Sequence, residues 1–316
     1  MSLGFIFEIT TECNLQCGFC YNAYTENQKV KKSLDVEKIK DLLLKVVHIP
    51  NVEWITFSGG EPLIYKELEN VIKFLRKQSQ YLKIGIASNG TLLNEDKINN
   101  LIDSGIDFFE IPLLASDNKI YEEITKKAYL SKVKESMSLI KSRNIPLNTS
   151  ITLNLANLNE IESIMDLAFV LNSDMVSLNR FTPTGLGKVN KEKYQLTKKQ
   201  LSSILETANK KSFEFNIPTF VTIPIENCLI PHSDYPYLRF SPCVCGKEKW
   251  LIDPFGNLRT CEQNEEIIGN LFESSFLELS QSFMVNKFRE QNLFDDCIEK
   301  ECFYTCGGGC RFTDNY

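Results

Sequence analysis

The chain has 316 residues, a net charge of -6 and a sequence pI near 5.3, which excludes a predominantly basic, nucleic-acid-binding surface. Hydrophobic residues at 43% and charged residues at 24% are those of a folded protein with one large domain, or one large and one small. No stretch approaches the roughly 18 apolar residues that span a bilayer, and Glu8 and Glu12 interrupt any signal-peptide core. The expectation is a cytoplasmic protein with neither a membrane nor a nucleic acid as partner.

Gly4 to Thr10 reads as a first strand. Ser33 and Leu34 open a helical pattern through Ile39, Leu42, Leu43 and Val46. A second strand over Val52 to Phe57 is followed by a helix over Leu63 to Gln78. A third, over Lys83 to Ser88, ends at Asn89-Gly90, and Asn94 caps a helix to Ser104. Ile106 to Leu114 is the fourth strand, followed by a longer helical stretch to Lys141. Pro146 to Leu153 is the fifth strand, Asn159 to Leu171 a helix, and Asp174 to Asn179 the sixth strand. Another helix follows Leu196 to about Lys211, and then an extended run from Ile217 to Ile223.

Strands alternating with helices imply parallel βαβ units. Six such units fall two short of a full (β/α)8 barrel. The predicted fold is therefore α/β, an open partial (β/α)6 barrel over residues 1–225, with a doubly wound sheet as the alternative. Either architecture gathers ligands at the carboxyl ends of its strands. A cysteine loop follows strand one there, Gly59-Gly60 follows strand two, and Asn89-Gly90 follows strand three. From Cys228 onward the elements shorten and Cys, Gly and Pro punctuate the chain, so residues 226–316 read as a small Cys-rich domain.

Eleven cysteines divide into three within the first 20 residues, none in the next 207, and eight from Cys228 to Cys310. A disulfide scaffold fits poorly with a long chain, no secretion signal and an odd count. Two metal-cluster regions fit better. Cys13, Cys17 and Cys20 are spaced C-x3-C-x2-C. Three thiolates fall one short of the four that usually hold a four-iron cluster, which leaves one iron open to a ligand, as catalytic zinc sites keep an open position. Zinc is the alternative. It would need a fourth ligand, and the histidines are His48 and His232.

This spacing, with aromatic Phe19 before the last cysteine and a strand directly before the first, resembles the signature of the radical S-adenosylmethionine (SAM) superfamily. The resemblance implies that SAM chelates the open iron, that an electron from the cluster cleaves its sulfonium, and that the resulting 5′-deoxyadenosyl radical removes a substrate hydrogen atom. Gly59-Gly60-Glu61-Pro62 strengthens it. Paired glycines let backbone approach a ligand closely, and a Glu61 carboxylate accepts from an ammonium. In the family this stretch holds the methionine amino group of SAM, although Gly-Gly alone reads as a turn. Ser88-Asn89-Gly90-Thr91 resembles the ribose-contacting strand end, with a capped helix start as the alternative. Arg180, ending strand six, is a candidate for the SAM carboxylate or an ordinary surface arginine.

Cys245-x10-Gly256-x4-Cys261 and Cys297-x4-Cys302-x3-Cys306-x3-Cys310 resemble the SPASM extension of radical SAM enzymes, which carries two auxiliary four-iron clusters. Leu251 to Leu258 reads as a hairpin presenting Cys261. By order along the chain, the resemblance assigns Cys243, Cys245, Cys261 and Cys310 to the first auxiliary cluster and Cys297, Cys302 and Cys306 to the second. The usual C-x2-C-x5-C spacing is redistributed, and no cysteine follows Cys310. An all-cysteine zinc ribbon is the alternative. Cys228 is an inert thiol, the missing fourth ligand, or a hydrogen-atom donor.

SPASM-type relatives mostly modify ribosomally made peptides or protein side chains, and some oxidise small alcohols. The leading expectation is a peptide maturase with three [4Fe-4S] clusters, SAM, a peptide substrate and an electron donor such as flavodoxin or ferredoxin. With 12 residues before Cys13, substrate recognition is expected from a separate protein or from the barrel surface. A sulfatase-type formylglycine maturase is the second enzyme reading, with Asp117 as its candidate base and a helix-capping aspartate as that residue's alternative. A non-catalytic electron-transfer or metal-sensing protein is the reading from another class.

Overall fold

A computed structural model describes residues 2–22, 33–290 and 306–313. The first strand, β1 (Leu3–Thr10), is buried on both faces, as the interior of a parallel sheet requires. Phe5, Phe7 and Ile9 point one way and are fully buried. Gly4, Ile6, Glu8 and Thr10 point the other way. Gly4 has no side chain because the Trp54 ring occupies the space where its Cβ would lie. Helix α1 (Val36–Val47) starts at the Asp35 cap, whose carboxylate accepts the Lys38 N–H, and buries Ile39, Leu42, Leu43 and Val46 along one stripe. Strand β2 (Val52–Gly59) pairs with β1 in parallel.

The helix expected from Leu63 to Gln78 forms as two pieces. A 3-10 turn covers Pro62–Ile64, Tyr65 is extended, and α2 (Leu68–Gln78) begins only afterwards. Glu61 caps the first piece by accepting the Leu63 N–H on its own side chain. Strand β3 (Lys83–Ala87) pairs with β2 in parallel. Helix α3 (Glu95–Ser104) runs from an Asn94 cap to Gly105 in the left-handed region, the usual chemistry of helix ends. Strand β4 (Phe108–Pro112) follows.

The long helical stretch expected up to Lys141 is also two helices, α4 (Asn118–Thr125) and α5 (Leu130–Ser142). Lys126 adopts a left-handed conformation at φ 62° and ends α4. Strand β5 (Leu147–Leu153) is followed by a 3-10 turn, α6 (Ile161–Val170) and β6 (Met175–Arg180). Short helices α7 (Leu186–Val189) and α8 (Lys191–Tyr194) lead to α9 (Lys198–Phe215), which starts at a Thr197–Gln200 capping box. Strands β7 (Thr219–Val221) and β8 (Leu238–Phe240) extend a parallel run in the order β5, β6, β7, β8.

The chain then returns to β1. Strand β9 (Lys249–Ile252) pairs with β1 in parallel, and β10 (Asn257–Arg259) folds back on it as the expected hairpin. Asp253 closes the turn by accepting from Phe255 and Asn257. Strand β11 (Gly269–Asn270) and helices α10 (Phe276–Ser280) and α11 (Phe283–Glu290) complete the described elements.

The result is an α/β fold with parallel strands, divided into two compact bodies. The first gathers Met1–Asn14, Asn22–Phe109 and Val244–Glu290. The second gathers Leu15–Tyr21, Glu110–Cys243 and the described part of Gln291–Tyr316. In the first body β9, β1, β2 and β3 lie side by side in that order. Among the described residues no helix is long and apolar enough to cross a membrane.

Candidate active site

Three strand ends of the first body meet through hydrogen bonds. Gly60 N–H donates to Thr10 O at 2.7 Å and Glu61 N–H to Glu12 O at 2.6 Å. Gly59 sits at φ 131°, and a Cβ at either Gly59 or Gly60 would collide with the Thr10–Glu12 backbone. The paired glycines therefore admit the chain that leads into Cys13.

Glu61 is fully buried. Its Oε1 accepts from the Ser88 hydroxyl at 2.7 Å and the Leu63 N–H at 3.1 Å, and its Oε2 accepts from the Asn89 N–H at 2.8 Å. Burial pushes its pKa up to about 7, against the pull of these three donors. Asn89 in turn donates through Nδ2 to Asn14 Oδ1 at 2.8 Å, and Asn14 donates to the Thr91 hydroxyl at 2.8 Å. The Thr91 hydroxyl donates to Asn89 Oδ1 at 2.7 Å. Asn89 Nδ2 also lies 4.0 Å from Cys13 Sγ. Asn14 was not singled out from the sequence. Its signal was a polar amide beside the first cysteine, facing a second amide at the end of the third strand.

Residues Leu15–Tyr21, carrying Cys17 and Cys20, belong to the second body. Because α4 stops at Lys126, its last carbonyls are left for other donors. Thr125 O accepts the Gln16 N–H at 3.1 Å, and Ile124 O accepts the Gly18 N–H at 3.2 Å. Asn190 donates to Gly18 O at 3.0 Å. Tyr194 packs over Gly18 and makes an edge contact with Phe19 at 5.7 Å. Burial, then the Cys17 charge, raise the Tyr194 pKa.

At the hairpin of the first body, the ligand atoms of Cys245, Cys261 and Glu262 all lie within 4.8 Å of one another. Two sulfurs and a carboxylate are a donor set that suits a metal centre. Arg259 braces the loop beyond Cys261 by donating to Asn264 O at 2.5 Å and Glu262 O at 2.9 Å. Its Nη1 lies 3.5 Å from buried Glu8, whose pKa burial pushes up to about 8.

In the second body, Cys306 and Cys310 are buried and Cys243 is half-buried. Burial raises the Cys310 thiol pKa, and the Cys243 charge adds to the shift. Arg180 is 1% exposed, which removes the surface-arginine alternative. Its Nη2 donates to Glu226 Oε1 at 3.0 Å, Pro224 O at 2.6 Å and the Thr313 hydroxyl at 2.8 Å. Glu226, also missed, abuts Gly309, where a Cβ would collide with it. Cys228 is exposed. Asp117 caps α4, its Oδ1 accepting from the Lys119 and Ile120 N–H groups. Cys297 and Cys302 lie outside the described residues.

The fold resembles Streptococcus suis SuiB bound to precursor peptide SuiA, with a TM-score of 0.80 and 17% identity, over 98% of this chain and 72% of that one. It resembles anSMEcpe with bound AdoMet at a TM-score of 0.76 and 18% identity, over 98% and 86% of the two chains. BtrN in complex with AdoMet and 2-DOIA is more distant, at a TM-score of 0.54 and 14% identity, over 100% and 97%. The sequence profile of the radical SAM superfamily matches residues 7–168, just over half of the chain and every motif from Cys13 to Thr91. The chain belongs to the radical SAM superfamily.

Proposed function

We propose that the chain is a radical SAM enzyme that modifies a peptide and carries three [4Fe-4S] clusters. The observation that carries this reading is the bonded unit of Asn14, Glu61, Ser88, Asn89 and Thr91, which ties three motifs of the family together. Cys13, Cys17 and Cys20 hold the SAM-binding cluster in this reading. Gly59, Gly60 and Glu61 receive the methionine end of SAM, and Ser88 and Asn89 the ribose. When bound and reduced by one electron, SAM supplies the hydrogen-abstracting species. Glu61 fixes the ends of β2 and β3 so that their loops keep one shape. Asn89 orients the first cysteine of the loop through Asn14.

Cys243, Cys245, Cys261 and Cys310 are assigned to the first auxiliary cluster, and Cys297, Cys302 and Cys306 to the second. Arg180 is assigned to holding the Cys310 loop, its Nη2 donating to both Glu226 and Thr313. Residues 226–316 act as the auxiliary domain of a SPASM type. A peptide substrate is supported by the fold shared with peptide-bound SuiB and with anSMEcpe bound to the Cp18Cys peptide. The electron donor is a flavodoxin or ferredoxin, and recognition of the peptide falls to a separate protein or to this chain's own surface.

The test is anaerobic reconstitution with iron and sulfide, reduction with dithionite, and measurement of 5′-deoxyadenosine formed from SAM. A small peptide encoded beside the enzyme's gene is then added and its mass followed. Cleavage of SAM with a changed peptide mass is the expected result. Change only in a cysteine-containing sulfatase peptide moves the assignment to formylglycine formation. No 5′-deoxyadenosine from a fully iron-loaded chain overturns the enzyme reading.

A further inference from the structure

Cys245 and Cys261 share their corner with an ion pair that coordination does not require. Lys249, the first residue of β9, bridges to Cys245. The Gly246 N–H donates to Lys249 O at 2.9 Å and to Thr260 O at 3.1 Å, so the turn after Cys245 is strapped to the residue before Cys261. Lys249 Nζ lies 3.0 Å from Glu262 Oε1, and both side chains are part-buried. A Glu262 carboxylate oxygen is within 4.8 Å of both sulfurs. Other charges close by have their own acceptors: Arg259 faces Glu8, and Arg289 donates to Gly246 O at 2.6 Å.

We propose that Lys249 and Glu262 form a potential-setting ion pair for the iron–sulfur cluster bound through Cys245 and Cys261. This rests on the auxiliary-cluster assignment above. The potential of such a cluster follows its net charge and the charges around it. A cation favours the more negative, reduced cluster and raises the potential; an anion lowers it. The Glu262 carboxylate lies within 4.8 Å of both sulfurs and the Lys249 ammonium is hydrogen-bonded to it, so the two charges act on the cluster with opposite sign. A unit charge some 5–8 Å away, at an effective dielectric near 20, changes the reduced-to-oxidised ratio by more than about tenfold.

A salt bridge that merely braces β9 against the loop predicts something different. Removing either partner would then act in the same direction, through lost iron or no redox effect. The experiment uses the chain with Cys13→Ala, Cys17→Ala and Cys20→Ala, reconstituted anaerobically, so that only auxiliary clusters report. The paramagnetic signal that disappears on adding Cys261→Ala is titrated against potential. Lys249→Met should lower its midpoint and Glu262→Gln should raise it, each at least about tenfold in the one-electron equilibrium, or about 59 mV. The double variant should fall between the two single variants. Shifts of the same sign, or none, overturn the proposal. So does loss of iron from Glu262→Gln alone, which would make the carboxylate a ligand. If Lys249→Met fails to load iron, the sign of the Glu262→Gln shift decides. A parent that holds no auxiliary iron overturns the pair together with the auxiliary cluster, while SAM cleavage by the unmodified chain judges the radical chemistry separately.

Discussion

Glu61→Gln tests the central bonded unit through its pH dependence. The Glu61 pKa rises from an ordinary 4.5 to about 7 because the carboxylate is fully buried. At about 1.4 kcal/mol per unit, the ionised form costs the folded state about 3 kcal/mol. Below pH 4.5 the group is neutral in both states and costs nothing. Between 4.5 and 7 the unfolded chain releases its proton first, so stability falls as pH rises. Above 7 the whole cost is in place. The amide introduced by Glu61→Gln cannot ionise, so that slope disappears. It also places an N–H where Asn89 N–H or Ser88 once met an acceptor, a constant penalty of about 1–3 kcal/mol. Relative to wild type, the variant should therefore gain about 2–3 kcal/mol between pH 5 and pH 8. Urea midpoints of both proteins, measured anaerobically across that range, give the comparison. Parallel stability curves would refute the buried carboxylate as the source.

Changing Cys13, Cys17 and Cys20 together to Ala should abolish 5′-deoxyadenosine formation and reduce iron from about 12 to about 8 atoms per chain, at four per cluster; stoichiometric zinc with little sulfide would refute the iron assignment. Arg180→Met strands the Glu226 carboxylate, which is 2% exposed, and should cost about 3–5 kcal/mol of stability. Because Thr313 is released with it, auxiliary iron should fall too, and an unchanged melting temperature with full iron would exclude the brace. Cys228→Ala separates the three roles of that thiol: loss of about four irons makes it a cluster ligand, full iron and normal SAM cleavage with a lost peptide product make it a hydrogen-atom donor, and unchanged iron and product make it an inert thiol.

The strand–helix alternation was legible because each strand is a short apolar run and each helix carries a buried stripe, as Ile39, Leu42, Leu43 and Val46 do in α1. The two helix breaks were not. Neither has a proline or glycine at the break to signal it: Tyr65 is simply extended after the Pro62–Ile64 turn, and Lys126 takes a left-handed conformation. The end of α4 goes with tertiary bonds, the Gln16 and Gly18 N–H groups of the cysteine segment donating to the carbonyls of Thr125 and Ile124, whereas Glu61 caps the Pro62–Ile64 turn locally through the Leu63 N–H. The motif cysteines could be found from spacing alone. Asn14, Glu226, Lys249 and Glu262 could not, because their hydrogen-bond partners lie 13 to 77 residues away along the chain and single-residue pattern carries no information about such pairings.

The α4 break and the site have a common cause. A loop that must present cysteines cannot satisfy its own backbone through a helix or a sheet, and buried N–H groups need acceptors. Here they come from elements that end early. The α4 carbonyls receive Gln16 and Gly18, and the Thr10 and Glu12 carbonyls receive Gly60 and Glu61. Glycine at 59 and 60 is then dictated by backbone packing, since any Cβ would strike the Thr10–Glu12 segment. Replacing either glycine should thus disturb the entry to Cys13 even if SAM never touched that loop. The family signature is in this respect a packing signature: Gly59 and Gly60 seat the Thr10–Glu12 backbone, and Glu61 pins their loop to Ser88 and Asn89.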